Sequence, residues 1–126
     1  MRLHALALAA FAFAAPLAAQ QQPTTPAVDL TAVRSELRNL IGAQEAHFAD
    51  NGRYSPELGA LKLATPDSVV IRILDFTPTA YAATGSLKGK AGASCVVMIG
   101  TVAAPPKTEQ GAVAKVEGAV LCDGDR

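Results

Sequence analysis

The side chains with the most reactive potential in this chain are two cysteines, Cys95 and Cys122, one histidine inside an amphipathic stretch, His47, and a pair of acids at the C-terminus, Asp123 and Asp125. Two cysteines allow a single intramolecular pairing. In an exported chain a disulfide is the default, because the oxidising compartment favours it. Closing a loop of about 28 residues removes enough unfolded-chain entropy to stabilise the fold by roughly 3.5 kcal/mol. The competing chemistry, Cys95 as a nucleophile with His47 as its base, needs a reduced thiol outside the cytoplasm and is set aside. Apart from His4 near the start, His47 stands alone, with no cysteine or carboxylate at zinc-ligand spacing. It reads as a residue at the edge of a helix stripe. Asp123 and Asp125 offer oxygens to calcium, but two carboxylates make an incomplete site for an ion that takes six to eight oxygens, so they are weak metal candidates. Ser35, Ser55, Ser68, Ser86 and Ser94 have no base in a recognisable motif. No nucleophile elbow, phosphate loop or dinucleotide fingerprint occurs. The expectation is a protein that is not an enzyme and carries no cofactor.

The 126 residues are half apolar and carry 11 basic and 11 acidic side chains. That length suits one small domain. Binding nucleic acid would need clustered Lys and Arg, and the nearest approach, Lys88 and Lys90, is a solvated pair flanking a glycine. The first segment, MRLHALALAAFAFAAPLAAQ, has a positive start, an apolar run and small residues at Ala18 and Ala19. It reads as a secretory signal peptide over residues 1–19. Pro16 and the glutamines from Gln20 to Gln22 end the apolar run too early for a membrane span of about 20 residues. A lipid anchor would need a cysteine at the cleavage site. Residues 20–28, with Pro23 and Pro26, read as a flexible linker, and residues 29–126 as the globular domain. The expected protein is therefore periplasmic or extracellular, with no membrane span after signal cleavage.

The domain is organised around Asp29 to Tyr54. At a helical step, Leu30, Val33, Leu37, Leu40, Ile41, Gln44 and Phe48 fall in one stripe roughly 100° wide. Asp29 or Thr31 can cap its start and Asn51-Gly52 its end. Gln44 is the polar member of that stripe, and its amide is expected to bond buried backbone of the loop after the helix, since an unsatisfied buried amide is costly. A single short turn of helix is expected after Ser55 as N-cap, Pro56 and Glu57, with Leu58 and Leu61 on its apolar side beside Tyr54. Strand-like runs follow at Ser68–Phe76, Ala80–Leu87, Ser94–Val102 and Ala112–Cys122. The second is built of small residues and leaves room for a helix to lie close across it. In the last, Ala114, Val116, Val120 and Cys122 share a face. Short connections suit antiparallel hairpins, and one long helix on three to four such strands is an α+β domain. The loop from Ala103 to Gly111, holding Pro105, Pro106, Lys107 and Glu109, is expected to be exposed and to offer binding residues.

Ala43-Gln44-Glu45-Ala46, Phe48, Asn51-Gly52, Tyr54-Ser55 and the spaced Leu58 and Leu61 together resemble the helix exit of type IV pilin and type II secretion pseudopilin globular domains. Tyr81-Ala82-Ala83 in a middle strand and a cysteine pair ending near the C-terminus extend the likeness over about residues 30 to 122, with the specific part at 43 to 61. The resemblance implies a helix spine gripped by an antiparallel meander. It also implies that the span from Cys95 to Cys122 corresponds to the disulfide-bounded surface region of pilins, which often carries subunit contacts or adhesion. The chain departs from the family at its start: it has no prepilin processing site, and Pro16, Pro23 and Pro26 interrupt any continuous apolar helix. The leading expectation is a pilin-like domain behind an ordinary signal peptide, acting through a protein partner, linked to pilus or secretion machinery. The alternatives are a small-ligand or calcium-binding module, or a membrane-anchored minor pilin.

Overall fold

The computed structural model describes residues 27–125. The expected signal peptide and most of the expected linker lie outside the described residues. Helix α1 spans Thr31–Asn51. Asp29 Oδ1 accepts the Thr31 N–H at 2.9 Å and so satisfies one of the orphan donors of the first turn. At the other end Gly52 adopts a left-handed conformation (φ 69°) and its N–H closes onto the Phe48 carbonyl. Val33, Leu37, Leu40 and Gln44 are buried along one face, with Ile41 and Phe48 half-buried at its flanks.

The four strands, β1 (Val69–Thr77), β2 (Ala80–Leu87), β3 (Ser94–Ile99) and β4 (Leu121–Cys122), form one antiparallel sheet in the order β1-β2-β3-β4. Helix and sheet make an α+β fold. The register aligns Ile71 with Gly85 and Cys95, and Ile73 with Ala83 and Val97, across the face turned to α1. Leu74 follows the outward alternation of Arg72 and is 53% exposed, and a bulge between Ile73 and Asp75 then returns Phe76 to the core opposite Tyr81.

Close contact between helix and sheet depends on Gly85. A Cβ there would lie 2.8 Å from Val33 Cγ1 and 2.9 Å from Ile71 Cδ1. Replacing Gly85 by Ala should therefore lower stability by about 1–3 kcal/mol through overpacking, although it removes a glycine from a strand. A denaturant titration of Gly85→Ala showing unchanged or increased stability would count against this packing.

Several boundaries differ from expectation. The single helical turn expected after α1 is present as a 3-10 turn over Leu58–Leu61, but Ser55 does not cap it. Ser55 is held by its backbone against α1, Glu57 is extended (φ −106°, ψ 113°), and the Ser55 hydroxyl accepts the Glu57 N–H locally instead. Strand β3 stops at Ile99 and not at Val102, because Gly100 takes φ 71° at a spot where a Cβ would meet the Thr79 carbonyl at 2.7 Å. The expected strand Ala112–Cys122 is reduced to Leu121–Cys122. Gly118 (φ 75°) breaks the alternation, and Val116, expected in the core, is 63% exposed.

The loop from Ala103 to Gly111 is also not a free excursion. Ala103 to Pro105 are exposed, but Pro106 and Thr108 are buried. The segment lies over the sheet face opposite α1, where Ala82 and Val96 are buried. It is tied there by Ala103 N–H to Asp75 Oδ2 (3.0 Å) and Glu109 N–H to Ser94 Oγ (2.7 Å). A bridge between Lys107 and Val113 closes a small hairpin at its end. The outer face is thus covered over Ala82 and Val96, while Arg72 and Leu74 of β1 stay exposed on it.

Candidate functional site

Cys95 and Cys122 are directly opposite one another on β3 and β4 and form a disulfide, with Cα atoms 3.9 Å apart. The Asp123 N–H bonds the Ser94 carbonyl, which makes Ser94 and Asp123 a hydrogen-bonded pair. The cysteines then fall at the intervening narrow pair, where cross-strand side chains approach most closely. Both are buried on the α1 side of the sheet, among Val97, Ile71 and Leu37. The bridge bounds a segment that leaves β3, covers the outer face and returns only at β4.

Asp123 anchors this segment. Its Oδ2 accepts the Ser94 N–H (2.9 Å) and hydroxyl (2.8 Å), and its Oδ1 accepts the Gln110 N–H (3.1 Å). Gln110 in turn donates to the Gly92 carbonyl (2.8 Å), and the Glu109 carboxylate accepts the Gly92 N–H. Partial burial pushes the Asp123 carboxyl up, but the bonds from Thr108, Ser94 and Gln110 outweigh it and leave it below the usual aspartate value. Asp125 is engaged elsewhere. Both its oxygens take the Arg34 guanidinium (2.7 and 2.8 Å), which lowers its pKa first, with the Cys122 N–H (2.8 Å) adding to the effect.

The two acids weighed as calcium ligands are therefore occupied by protein donors on different partners. Among the described residues no group of three or more His, Cys, Asp or Glu could hold a metal ion. Their titration has a sign. Both folded-state values lie below 3.8, so each contributes stability that is present above that pH and lost as the pH falls below it through the lowered folded value. Thermal melts should show a stability plateau near neutrality that declines as the pH drops from about 5 towards 3. In Asp123→Asn this decline should be shallower; an equally steep decline would place the acid sensitivity elsewhere.

Within the disulfide-bounded segment, Ala112 to Val116 and Ala119 to Leu121 line a predominantly apolar cleft of about 360 Å³. Val116 stands exposed at its wall, and the exposed Lys115 and Glu117 put opposite charges beside it. Glu117 also accepts the Gly100 N–H at 2.8 Å, which fixes this wall to the end of β3. The expected interaction residues Pro105, Pro106, Lys107 and Glu109 do not form this cleft. Pro105 and Pro106 border a separate recess with Leu74, Asp75 and Ala82, while Glu109 serves the Asp123 network. The cleft and Arg34 were not singled out by the sequence; the signal available was the loss of strict alternation around Gly118.

A third cluster lies at the exit of α1. Gln44 is fully buried, and its amide exchanges two bonds with Ser55, donating to the carbonyl (2.7 Å) and accepting from the N–H (2.9 Å). Beside it Tyr54 packs between Phe48 and Tyr81, with ring centroids 4.8 and 5.0 Å away. Its hydroxyl donates to Glu45 (2.9 Å), and burial first, then this bond, pushes its pKa up to about 12. Burial raises Tyr81 as well, and its enclosed hydroxyl has no partner among the described residues. His47 is half-buried nearby, with its ring nitrogen 3.4 Å from the Asn51 amide. Two phenols and a structural amide build this corner. Among the described residues no helix is long and apolar enough to cross a membrane. No family model matches the chain, and no curated protein matches it.

Proposed function

We propose that this chain is an exported, non-enzymatic, pilin-like domain that works by binding a protein partner through the segment closed by Cys95 and Cys122. The observation that carries this is the apolar cleft of that segment, with Val116 63% exposed at its wall, on a frame fixed by a disulfide and the Asp123 network. A pre-ordered apolar surface rimmed by charge loses little entropy on binding. A helix spine on an antiparallel meander, together with the helix-exit residues Gln44 to Leu61, supports the pilin-like reading. A disulfide of this kind persists in an oxidising compartment, which supports export to the periplasm or cell surface.

The test is a photoreactive residue placed at Val116, compared with one at Arg38 on the exposed face of α1, in cells that export the protein. A discrete protein adduct from position 116 and none from position 38 is expected. Adducts from both positions, or from position 38 alone, would contradict this assignment of the surface.

A further inference from the structure

Beyond the partner-binding reading, the hydrogen bonds around β4 describe a second device. Because Ser94 pairs with Asp123 by a hydrogen bond, the backbone groups of Cys122, and of Val120 two residues before it, point away from β3 towards the open edge of the sheet. An open edge of this kind is a template for another strand. Here three of these groups are already taken. The Cys122 N–H donates to Asp125 Oδ2 (2.8 Å), the Cys122 carbonyl accepts the Asp125 N–H (3.0 Å), and the Val120 carbonyl accepts Arg34 Nη1 (2.9 Å). The same Arg34 holds Asp125 through its other guanidinium nitrogen. One arginine from α1 and one C-terminal aspartate thus close the edge together.

The opposite edge of the sheet is different. The Lys88 N–H bonds the Ser68 carbonyl, so the alternation along β1 turns the backbone groups of Ile71 and Ile73 away from β2. β1 is nine residues long and rich in β-branched side chains. Its exposed Arg72 and the Asp123 carboxylate, bonded to Ser94, lie on the same outer face of the sheet, at its two ends. We infer that the Arg34–Asp125 clamp is an edge guard: it keeps the chain from extending its sheet, and when it is absent the β1 edge of a second copy adds to β4. Such a contact joins unlike edges, so each added copy presents a further β1 edge and a further β4 edge and association continues beyond a dimer unless the rotation closes a ring.

The experiment is size-exclusion chromatography with light scattering on the exported protein, on Arg34→Ala and Asp125→Ala, and on Val33→Ala. The last loses core packing and keeps the clamp. The wild type and Val33→Ala are expected to stay monomeric as concentration rises, whereas both clamp variants at least double in mass. Hydrogen exchange on the associated Asp125→Ala should then show the amides of Ile71 and Ile73 slowed at least tenfold relative to wild type. Clamp variants that remain monomeric, association of Val33→Ala to the same extent, or unprotected Ile71 and Ile73 amides in the associated form would each overturn the inference.

Discussion

Removal of both cysteines, as Cys95→Ala/Cys122→Ala, is expected to cost about 3.5 kcal/mol of unfolding free energy, the chain-entropy value for a loop of about 28 residues. For a domain of this size that corresponds to a fall in melting temperature of roughly 15–25 °C. The cause is local as well as entropic. β4 is only Leu121 and Cys122, extended by single backbone bonds from Asp123 to Ser94 and from Gly118 to Met98, so without the bridge little backbone pairing keeps the returning chain on β3. The segment over the outer face then depends on its hydrogen bonds, those of Asp123 with Ser94 and Gln110 and those of Ala103, Glu109 and Glu117 with the sheet, together with the Arg34–Asp125 pair, and Ala82 and Val96 lose part of their cover. Paired melts of the oxidised protein and the double variant decide the matter; a loss below about 1 kcal/mol would mean that the segment is held by its hydrogen bonds and not by the bridge.

Gln44 gives the second large effect. Ser55 is buried, and its N–H and carbonyl both spend their bonds on one amide. Gln44→Met keeps the volume but leaves two buried backbone groups unpaired, each costing about 1–3 kcal/mol. A loss of about 2–5 kcal/mol is expected, and Gln44→Ala should lose more because a cavity is added. Gln44→Glu keeps an acceptor for the Ser55 N–H but turns a carboxylate towards the Ser55 carbonyl, so it should be destabilising at neutral pH and recover partly on acidification. Equal stability of wild type and Gln44→Met in urea titrations would show that water replaces the amide without penalty.

How much of this could be read from the chain differs by element. The helix was legible because its apolar period, the Asp29 start and the Gly52 stop agree, and because an amide inside an apolar stripe must find backbone to bond. The first two strands were legible from β-branched alternation, and the small residues of β2 foretold the close approach that Gly85 permits. The stretch after Ile99 was not. Ala112 to Val120 has the composition of a strand, but Gly100 and Gly118 take positive φ and the chain is pulled across the outer face by contacts more than ten residues distant. Composition does not report such contacts. For the same reason the burial of Pro106, inside the loop expected to be exposed, is not visible in the sequence, nor is the cleft further along the same disulfide-bounded segment. The partners of Asp123 and Asp125 were equally hidden, since Ser94, Gln110 and Arg34 are remote from them in sequence.

Partner binding through the segment from Cys95 to Cys122 requires a domain that is exported and closed by its disulfide. The most direct test is the intact mass of the protein from the exported fraction, alkylated with and without prior reduction. The account predicts a mass lacking residues 1–19, unchanged by alkylation until reduction and then raised by two adducts. A full-length mass in the membrane fraction, or two adducts before reduction, would contradict it.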